Sequence, residues 1–164
     1  MAEHVELIRL REELRRDVDA AAALIAELGE QREVIDRPDA DRVVLGYVAL
    51  TLHRFYTALE TGLERIVRTL EGALPKGADA HSALLHDVTL PLPTVRPAVL
   101  GETTADGLRP LLRFRHFVRH SYAVAWDRKR LAEVLRHAEE IWPQTRDDLA
   151  RFMHFLDDLI SALE

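Results

Sequence analysis

The fold is decided first by residues 2–29, AEHVELIRLREELRRDVDAAAALIAELG. Apolar residues recur in this stretch every three or four positions, the spacing that places them on one face of an α-helix. They are Leu7, Leu10, Leu14, Val18, Ala21, Ile25 and Leu28. The opposite face is charged, so the stretch predicts a long amphipathic helix that packs against a partner.

A second helix of the same kind is predicted after the turn at Arg37-Pro38-Asp39, with Asp39 or Asp41 as its N-cap. Its apolar stripe stops at Gly72 and Pro75 and contains Val44, Tyr47, Val48, Phe55, Leu59, Leu63, Ile66 and Leu70. At 1.5 Å per residue, two helices of about 30 residues each extend near 45 Å. They are long enough to form an antiparallel helical hairpin.

The stretch from residue 74 to residue 101 is a connector, because prolines and glycine interrupt it at Pro75, Gly77, Pro91, Pro93 and Pro97. It leaves room for one short helix around residues 79–89. A third major helix is predicted to start near Thr104 or Asp106, with Pro110 in or near its first turn.

A fourth major helix is predicted to begin after Trp126-Asp127 and to resume after a kink at Pro143. No stretch shows the alternation that a strand requires. The sequence therefore predicts an all-α fold, a four- to five-helix up-down bundle that forms a single domain over residues 1–164.

Several classes of protein are excluded by what the sequence lacks. Without cysteine there is no disulfide scaffold and no thiol nucleophile. Glycine loops for phosphates or dinucleotides, the hydrolase nucleophile elbow and the zincin motif are also missing. The pairs Asp147-Asp148 and Asp157-Asp158 are interpreted as a solvated helix face and not as a metal site. No apolar run approaches the about 18 residues of a membrane span, so we expect a soluble, cytoplasmic protein without a signal peptide.

The net charge of −6 argues at first against a nucleic-acid partner. The charge is unevenly distributed, however. Residues 109–137 contain eight basic and two acidic side chains, a local charge of +6, which leaves −12 on the remainder. The average therefore conceals a basic segment on an acidic chain.

The centre of that segment is RFRHFVRHSY, residues 113–122, and its residue types suit cleavage of a phosphodiester without a metal. A neutral imidazole can take the proton from a ribose 2′-hydroxyl, and a guanidinium can stabilise charge on the phosphate oxygens. Because RNA carries its own nucleophile, the protein needs none. A zinc site at His116 and His120, or arginines that merely pair with acidic side chains, are the plainer interpretations.

The spacing along the helix separates the two side chains that phosphodiester cleavage would use. On an ideal helix Arg115 and His120 lie about 140° apart, whereas His116 and His120 share one face and Arg115, Arg119 and Tyr122 share another. Either the helix ends or distorts near His120, or two copies of the segment meet across a two-fold axis. We favour the second arrangement, with a contribution from the first.

The segment resembles the HEPN superfamily, and specifically the HepT-like toxins encoded beside a minimal nucleotidyltransferase antitoxin. The resemblance rests on Arg115-His116-x3-His120-x-Tyr122 and on the surrounding LLRFRHFVRHSYAVAWDRKRL. Two further stretches are similar to this family: HRFYTALETGLERIV at residues 53–67 and LPTVRPAVLGETT at residues 92–104. The similarity therefore extends over most of the chain from about residue 40 onward.

The resemblance implies a bundle that dimerises through the motif helix and acts as a metal-independent endoribonuclease on tRNA or mRNA, with no cofactor. The implied roles are His120 as acid/base, Arg115 as phosphate binder and His116 as orienting residue. Glu60 or Glu64 would support the site. Tyr122 would receive AMP from the antitoxin, which silences the toxin. The arginines expected to contact RNA are Arg109, Arg113 and Arg119.

Two other functions stay open at this stage. The chain could be a non-catalytic helical binding module that partners a nucleotidyltransferase. It could also be a structural bundle whose basic stripe docks an acidic partner.

Overall fold

The structure, a computed structural model, describes residues 1–121 and 125–163. Over these residues it is all-helical, which confirms the predicted fold class. The helices are α1 Ala2–Glu30, α2 Arg32–Asp36, α3 Arg42–Glu71, α4 Ala80–Asp87, α5 Glu102–His120 and α6 Arg128–Ser161. A search of the described helices finds none that is both long and apolar enough to cross a membrane.

The two long helices of the predicted hairpin are α1 and α3, which pack along each other. Asp41 is the N-cap of α3 and accepts a hydrogen bond from the Val44 amide at 2.9 Å. Gly72 ends the helix with a φ of 83°, a left-handed conformation that glycine adopts without strain. Arg65 of α3 pairs with Glu13 and Asp17 of α1, each at 2.8 Å, and so fixes the register of the hairpin.

The short helix α2 was not predicted from the sequence. Its one buried side chain, Ile35, is 1% exposed in the core. The carbonyls of Ile35 and Asp36 accept hydrogen bonds from Arg128 at 3.0 and 3.2 Å. The contacts with α6 therefore hold the short helix in place. Five residues are too few to show the apolar periodicity by which a helix is predicted from sequence.

The connector between α3 and α5 is held in place by Arg96, whose side chain is fully buried. Arg96 pairs with Glu71 at 2.7 Å and donates hydrogen bonds to the carbonyls of Asp87, Leu90 and Pro97. An isolated antiparallel bridge joins Leu92 to Arg96. One of the stretches that resembles the family thus has a structural role, which is to close the connector over the bundle.

Helix α5 begins at Glu102, earlier than predicted, so Pro110 lies inside the helix and not in its first turn. A side chain of α6 explains why α5 starts early. Asp148 accepts hydrogen bonds from the Gly101 amide at 2.8 Å and from the Thr104 hydroxyl at 2.7 Å. A carboxylate from another helix therefore caps α5, and no local N-cap residue is needed.

Pro110 lies inside α5, and a residue of a neighbouring helix binds the turn that precedes it. Proline has no amide for the carbonyl four residues earlier and crowds the preceding turn. His137 of α6 binds the Gly107 carbonyl in that turn through Nε2 at 2.6 Å. Since a carbonyl only accepts, the Nε2 of His137 is the donor.

Helix α6 runs as one element from Arg128 to Ser161 and contains Pro143, the position of the predicted kink. Pro143 lies on its exposed side. The interpretation of the acidic pairs on this helix as solvated is wrong for Asp148, which is 6% exposed. Asp157 also has a partner, Arg11 of α1, at 2.8 Å.

Asp148 gives the fold a testable pH dependence. Burial alone would raise its pKa, but hydrogen bonds from Gly101, Thr104 and Arg151 outweigh burial and hold the pKa below the ordinary 3.8. A carboxylate with a lowered pKa stabilises the fold above its unfolded-state pKa and loses that contribution as the pH falls through the folded value.

We expect Asp148→Asn to reduce the free energy of unfolding at pH 7 by about 1–3 kcal/mol, because it removes the charge that the α5 cap requires. The difference from wild type should shrink below pH 3.8. Chemical denaturation across pH measures both effects. Asp147→Asn, at the exposed neighbouring position, is the matched control and should change little. Equal losses in the two variants would contradict the capping role.

Candidate active site

The basic residues of α5 are divided between two faces of the helix. Four of them are spaced by four, three and four positions and form one stripe: Arg109, Arg113, His116 and His120. Arg113, His116 and His120 are exposed, and Arg109 is half-buried. Arg115, by contrast, is 7% exposed and turns into the bundle. The separation of Arg115 from His116 and His120 that the spacing predicts is therefore the arrangement that the structure has.

Arg115 forms a buried ion pair with Glu60 of α3. The distance from its Nη2 to Glu60 Oε1 is 3.1 Å, and Glu60 is 3% exposed. A guanidinium has five N–H donors, so Glu60 leaves Arg115 with further donors. The Arg115 Nε is buried and has no hydrogen-bond partner among the described residues. Of the two predicted supporting acids, Glu60 is the one that contacts Arg115.

The second oxygen of Glu60 contacts α4. Glu60 Oε2 lies 3.0 Å from the Nδ1 of His81, whose side chain is 39% exposed. Glu60 thus joins three helices, since it lies on α3 and binds one residue of α4 and one of α5. A pocket of about 420 Å³ opens between α4 and α5 beside these contacts. Its lining consists of Ala78, Asp79, His81, Ser82, Arg109, Leu112, Arg113, Arg115 and His116.

His120 lies at the end of α5, where its ring stacks on that of His116 with centroids 4.2 Å apart. Its Nδ1 lies 2.8 Å from the His116 carbonyl oxygen, which only accepts. Nδ1 therefore carries a proton, and in the neutral ring Nε2 presents a lone pair. Ser121 follows in an extended conformation, with φ −107° and ψ 92°. The helix ends at His120, as the first of the two sequence-based arrangements proposed.

The predicted site residues are thus only partly brought together within one chain. Arg115, His116, Arg109 and Arg113 share the pocket, whereas His120 is not among its lining residues. Arg119 is exposed on the other side of α5. Tyr122 lies outside the described residues.

Burial and nearby charges shift the pKa values of two α3 side chains in this region. Burial lowers the pKa of His53, and the nearby Arg115 and Arg119 guanidiniums lower it further. Burial also raises the pKa of the Tyr56 hydroxyl, and the charge of Glu60 adds to that rise. His53 is therefore a neutral imidazole at pH 7, and Tyr56 a neutral phenol.

The same region contains one group with ligand atoms close enough for a metal ion. Glu60, Glu64 and His81 each offer one such atom, all within 4.8 Å of one another. Glu60 is already bound to the Arg115 guanidinium, however, and a cation 3.1 Å away repels a divalent ion. The arginines that line the pocket favour an anionic ligand over a metal.

His81 and His53 are the residues near the site that the sequence analysis did not identify. His53 begins one of the stretches that resemble the family, and its spacing of seven from Glu60 places both on one face of α3. His81 lies in the connector, 21 residues after Glu60. Nothing in its local sequence indicates that contact, which depends on how α4 packs against α3.

Comparison with known proteins identifies a family. The sequence model of a family described as HepT-like protein matches residues 47–156. This range begins in α3 and ends in α6, so it includes the pocket and the motif helix and leaves out α1 and α2. No curated protein and no solved structure matches the chain.

Variants of Glu60 and Glu64 should differ in stability, because only Glu60 pairs with Arg115. We expect Glu60→Gln to reduce the free energy of unfolding by about 3 kcal/mol, because it leaves a buried guanidinium without its counter-ion. Glu64→Gln, one turn later and half-buried, is the control and should cost at most about 0.5 kcal/mol. Urea denaturation of both variants measures the difference. An equal effect would show that the pair does not stabilise the fold.

Proposed function

The chain belongs to the HepT-like family, and from this premise we propose that it is a cytoplasmic, metal-independent endoribonuclease toxin. The observation that carries the proposal is the last turn of α5. There His120 is held with Nδ1 as donor and Nε2 free, next to a pocket lined by Arg115 and His116. An imidazole with a free Nε2 is the group that removes a proton from a 2′-hydroxyl.

The chemistry needs little more than these groups. The 2′-oxygen attacks the adjacent phosphorus, and its proton goes to His120 Nε2. The bond from phosphorus to the 5′-oxygen breaks, and a 2′,3′-cyclic phosphate is left on one fragment. Arg115 stabilises the charge that develops on the phosphate oxygens, since its guanidinium has donors beyond those bound to Glu60. His116 orients His120 through its carbonyl and its stacked ring.

RNA is the substrate class that this surface favours. Arg109 and Arg113 line the pocket and supply positive charge for phosphates that flank the scissile bond. Arg119 extends the basic surface on the other side of α5. A shallow site of this kind selects exposed single-stranded nucleotides, as in the loops of tRNA or in mRNA.

The active form in this proposal is a homodimer. Within one chain Arg115 turns inward, whereas His120 lies at the exposed end of the helix. Two copies that meet through α5 would contribute both pairs of side chains to one cleft.

The activity is tested with purified protein and a fluorescently labelled RNA in the presence of EDTA. We expect cleavage by wild type, and a loss of about 100-fold or more for His120→Ala or Arg115→Ala. Arg16→Ala, on the exposed face of α1, is the control for a lost positive charge. Full activity of His120→Ala would overturn the mechanism. A wild-type protein that does not cleave RNA but binds a nucleotidyltransferase would favour the binding module instead.

Mixed dimers test the composite cleft. When Arg115→Ala and His120→Ala chains are refolded together, each dimer of mixed composition retains one arginine and one histidine. We expect part of the activity to return if the two side chains act across the interface, with sedimentation analysis to measure the dimer. No return of activity in a mixture shown to contain mixed dimers would place the site within one chain.

The partner in this proposal is a minimal nucleotidyltransferase antitoxin. It would transfer AMP from ATP to the Tyr122 hydroxyl with release of pyrophosphate, which adds bulk and negative charge two residues after His120. We expect intact-mass spectrometry to show one adenylyl group on wild type and none on Tyr122→Phe, together with loss of RNA cleavage by the modified protein. A Tyr122→Phe chain that still gains the group would exclude this residue.

A further inference from the structure

The pocket between α4 and α5 brings a second histidine to the phosphate-binding residues. We propose that His81, oriented by Glu60, is the general acid that protonates the leaving 5′-oxygen during RNA cleavage. This inference rests on the proposed ribonuclease function and adds a catalytic residue from outside the motif helix.

The orientation of His81 supports the assignment. Its Nδ1 lies 3.0 Å from Glu60 Oε2, and a buried carboxylate paired with Arg115 acts as the acceptor. The contact therefore places the donor N–H at Nδ1 and leaves Nε2 as the ring nitrogen available to a ligand in the pocket. In hydrolytic triads a carboxylate orients the catalytic histidine in the same way.

The position of His81 meets a requirement of the reaction. In an in-line displacement the attacking and leaving oxygens lie on opposite sides of the phosphorus, so the base and the acid must reach it from different directions. His81 is on α4, which forms one wall of the pocket, and the arginines that hold the phosphate are on α5, which forms the other wall. His120 is also on α5, one turn beyond His116 of the pocket lining.

The charged groups around His81 come from α3, from α5 and from the residue before α4, and they are of both signs. Glu60 and Glu64 of α3 have ligand atoms within 4.8 Å of those of His81. From α5 and from the residue before α4, the pocket adds Arg109, Arg113, Arg115, His116 and Asp79. The site can therefore hold both an anionic phosphate and a protonated imidazole.

The proton balance closes with His81 included. The 2′-hydroxyl proton goes to His120 Nε2 as the new bond to phosphorus forms. The bond to the 5′-oxygen breaks, and that oxygen takes a proton from Nε2 of protonated His81. The products are a 2′,3′-cyclic phosphate and a free 5′-hydroxyl, and no co-reactant is needed.

The decisive variant is His81→Asn. Its side-chain amide can still donate to Glu60, as Nδ1 does, but it has no group in place of Nε2. His86→Asn is the matched control, since His86 lies on the same short helix, is exposed and is not among the residues that line the pocket. Both variants are compared with wild type in EDTA, on an RNA whose cleaved bond has been mapped with the wild-type protein.

Two substrates distinguish whether His81 acts as a general acid or has a structural role. The second substrate is the same RNA with sulfur in place of the 5′-bridging oxygen at the cleaved bond, and a thiolate leaves without protonation. We expect His81→Asn to cut the ordinary RNA about 100-fold more slowly or worse and to cut the sulfur substrate at the wild-type rate. Binding of the uncleavable 2′-deoxy analogue, measured by fluorescence anisotropy, should be unchanged.

Each other result has a definite meaning. If His81→Asn cleaves the ordinary RNA as fast as His86→Asn does, the acid role is wrong while the ribonuclease function stands. Equal losses on both substrates, or weaker binding of the analogue, would show that His81 is structural and overturn the inference. A wild-type protein that cleaves neither RNA would overturn the proposed function, and the role of His81 with it.

Discussion

The arrangement of the site depends on the buried ion pair between Arg115 and Glu60. A guanidinium removed from water is costly unless a carboxylate meets it, so Arg115 can point inward only where Glu60 is. Once Arg115 is fixed, the rotation of α5 about its own axis is fixed as well. The neighbouring face of α5 then lies toward the outside of the bundle. It carries Arg109, Arg113, His116 and His120. This buried contact, together with the apolar residues of α5 that lie in the core, therefore determines which basic groups a ligand can reach.

Glu60 also links the site to the short helix α4 through its second oxygen. One carboxylate thereby holds a guanidinium on one side and an imidazole on the other, at 3.1 and 3.0 Å. The arginines beyond it give the pocket a positive character on a chain whose net charge is −6. Burial lowers the pKa of His53, and the Arg115 and Arg119 guanidiniums lower it further. The arginines thus make the pocket attractive to an anion, although the net charge of the whole chain is negative.

The position of α5 along the bundle is set from α6. Asp148 caps the first turn of α5, and His137 binds the Gly107 carbonyl in the turn that Pro110 disturbs. Gly107 itself allows close packing, since a Cβ there would lie 2.3 Å from Ile141 Cδ1. These contacts stabilise the beginning of α5 and leave its last turn, which carries His120, exposed. The capped end of α5 and the end that carries His120 are therefore opposite each other.

The sequence by itself determined the helical fold, the long hairpin of α1 and α3, the connector and the family, because apolar spacing, prolines and a short run of basic residues are all local signals. It also predicted Arg115, His116 and His120 as site residues, and it identified the angular separation between Arg115 and His120. Only the tertiary structure decided that Glu60 and not Glu64 meets Arg115, that Asp148 is a buried cap, and that His81 lies at the pocket. These choices depend on how helices distant in sequence pack, and the energy of burying a charge is known only once its partner is in place.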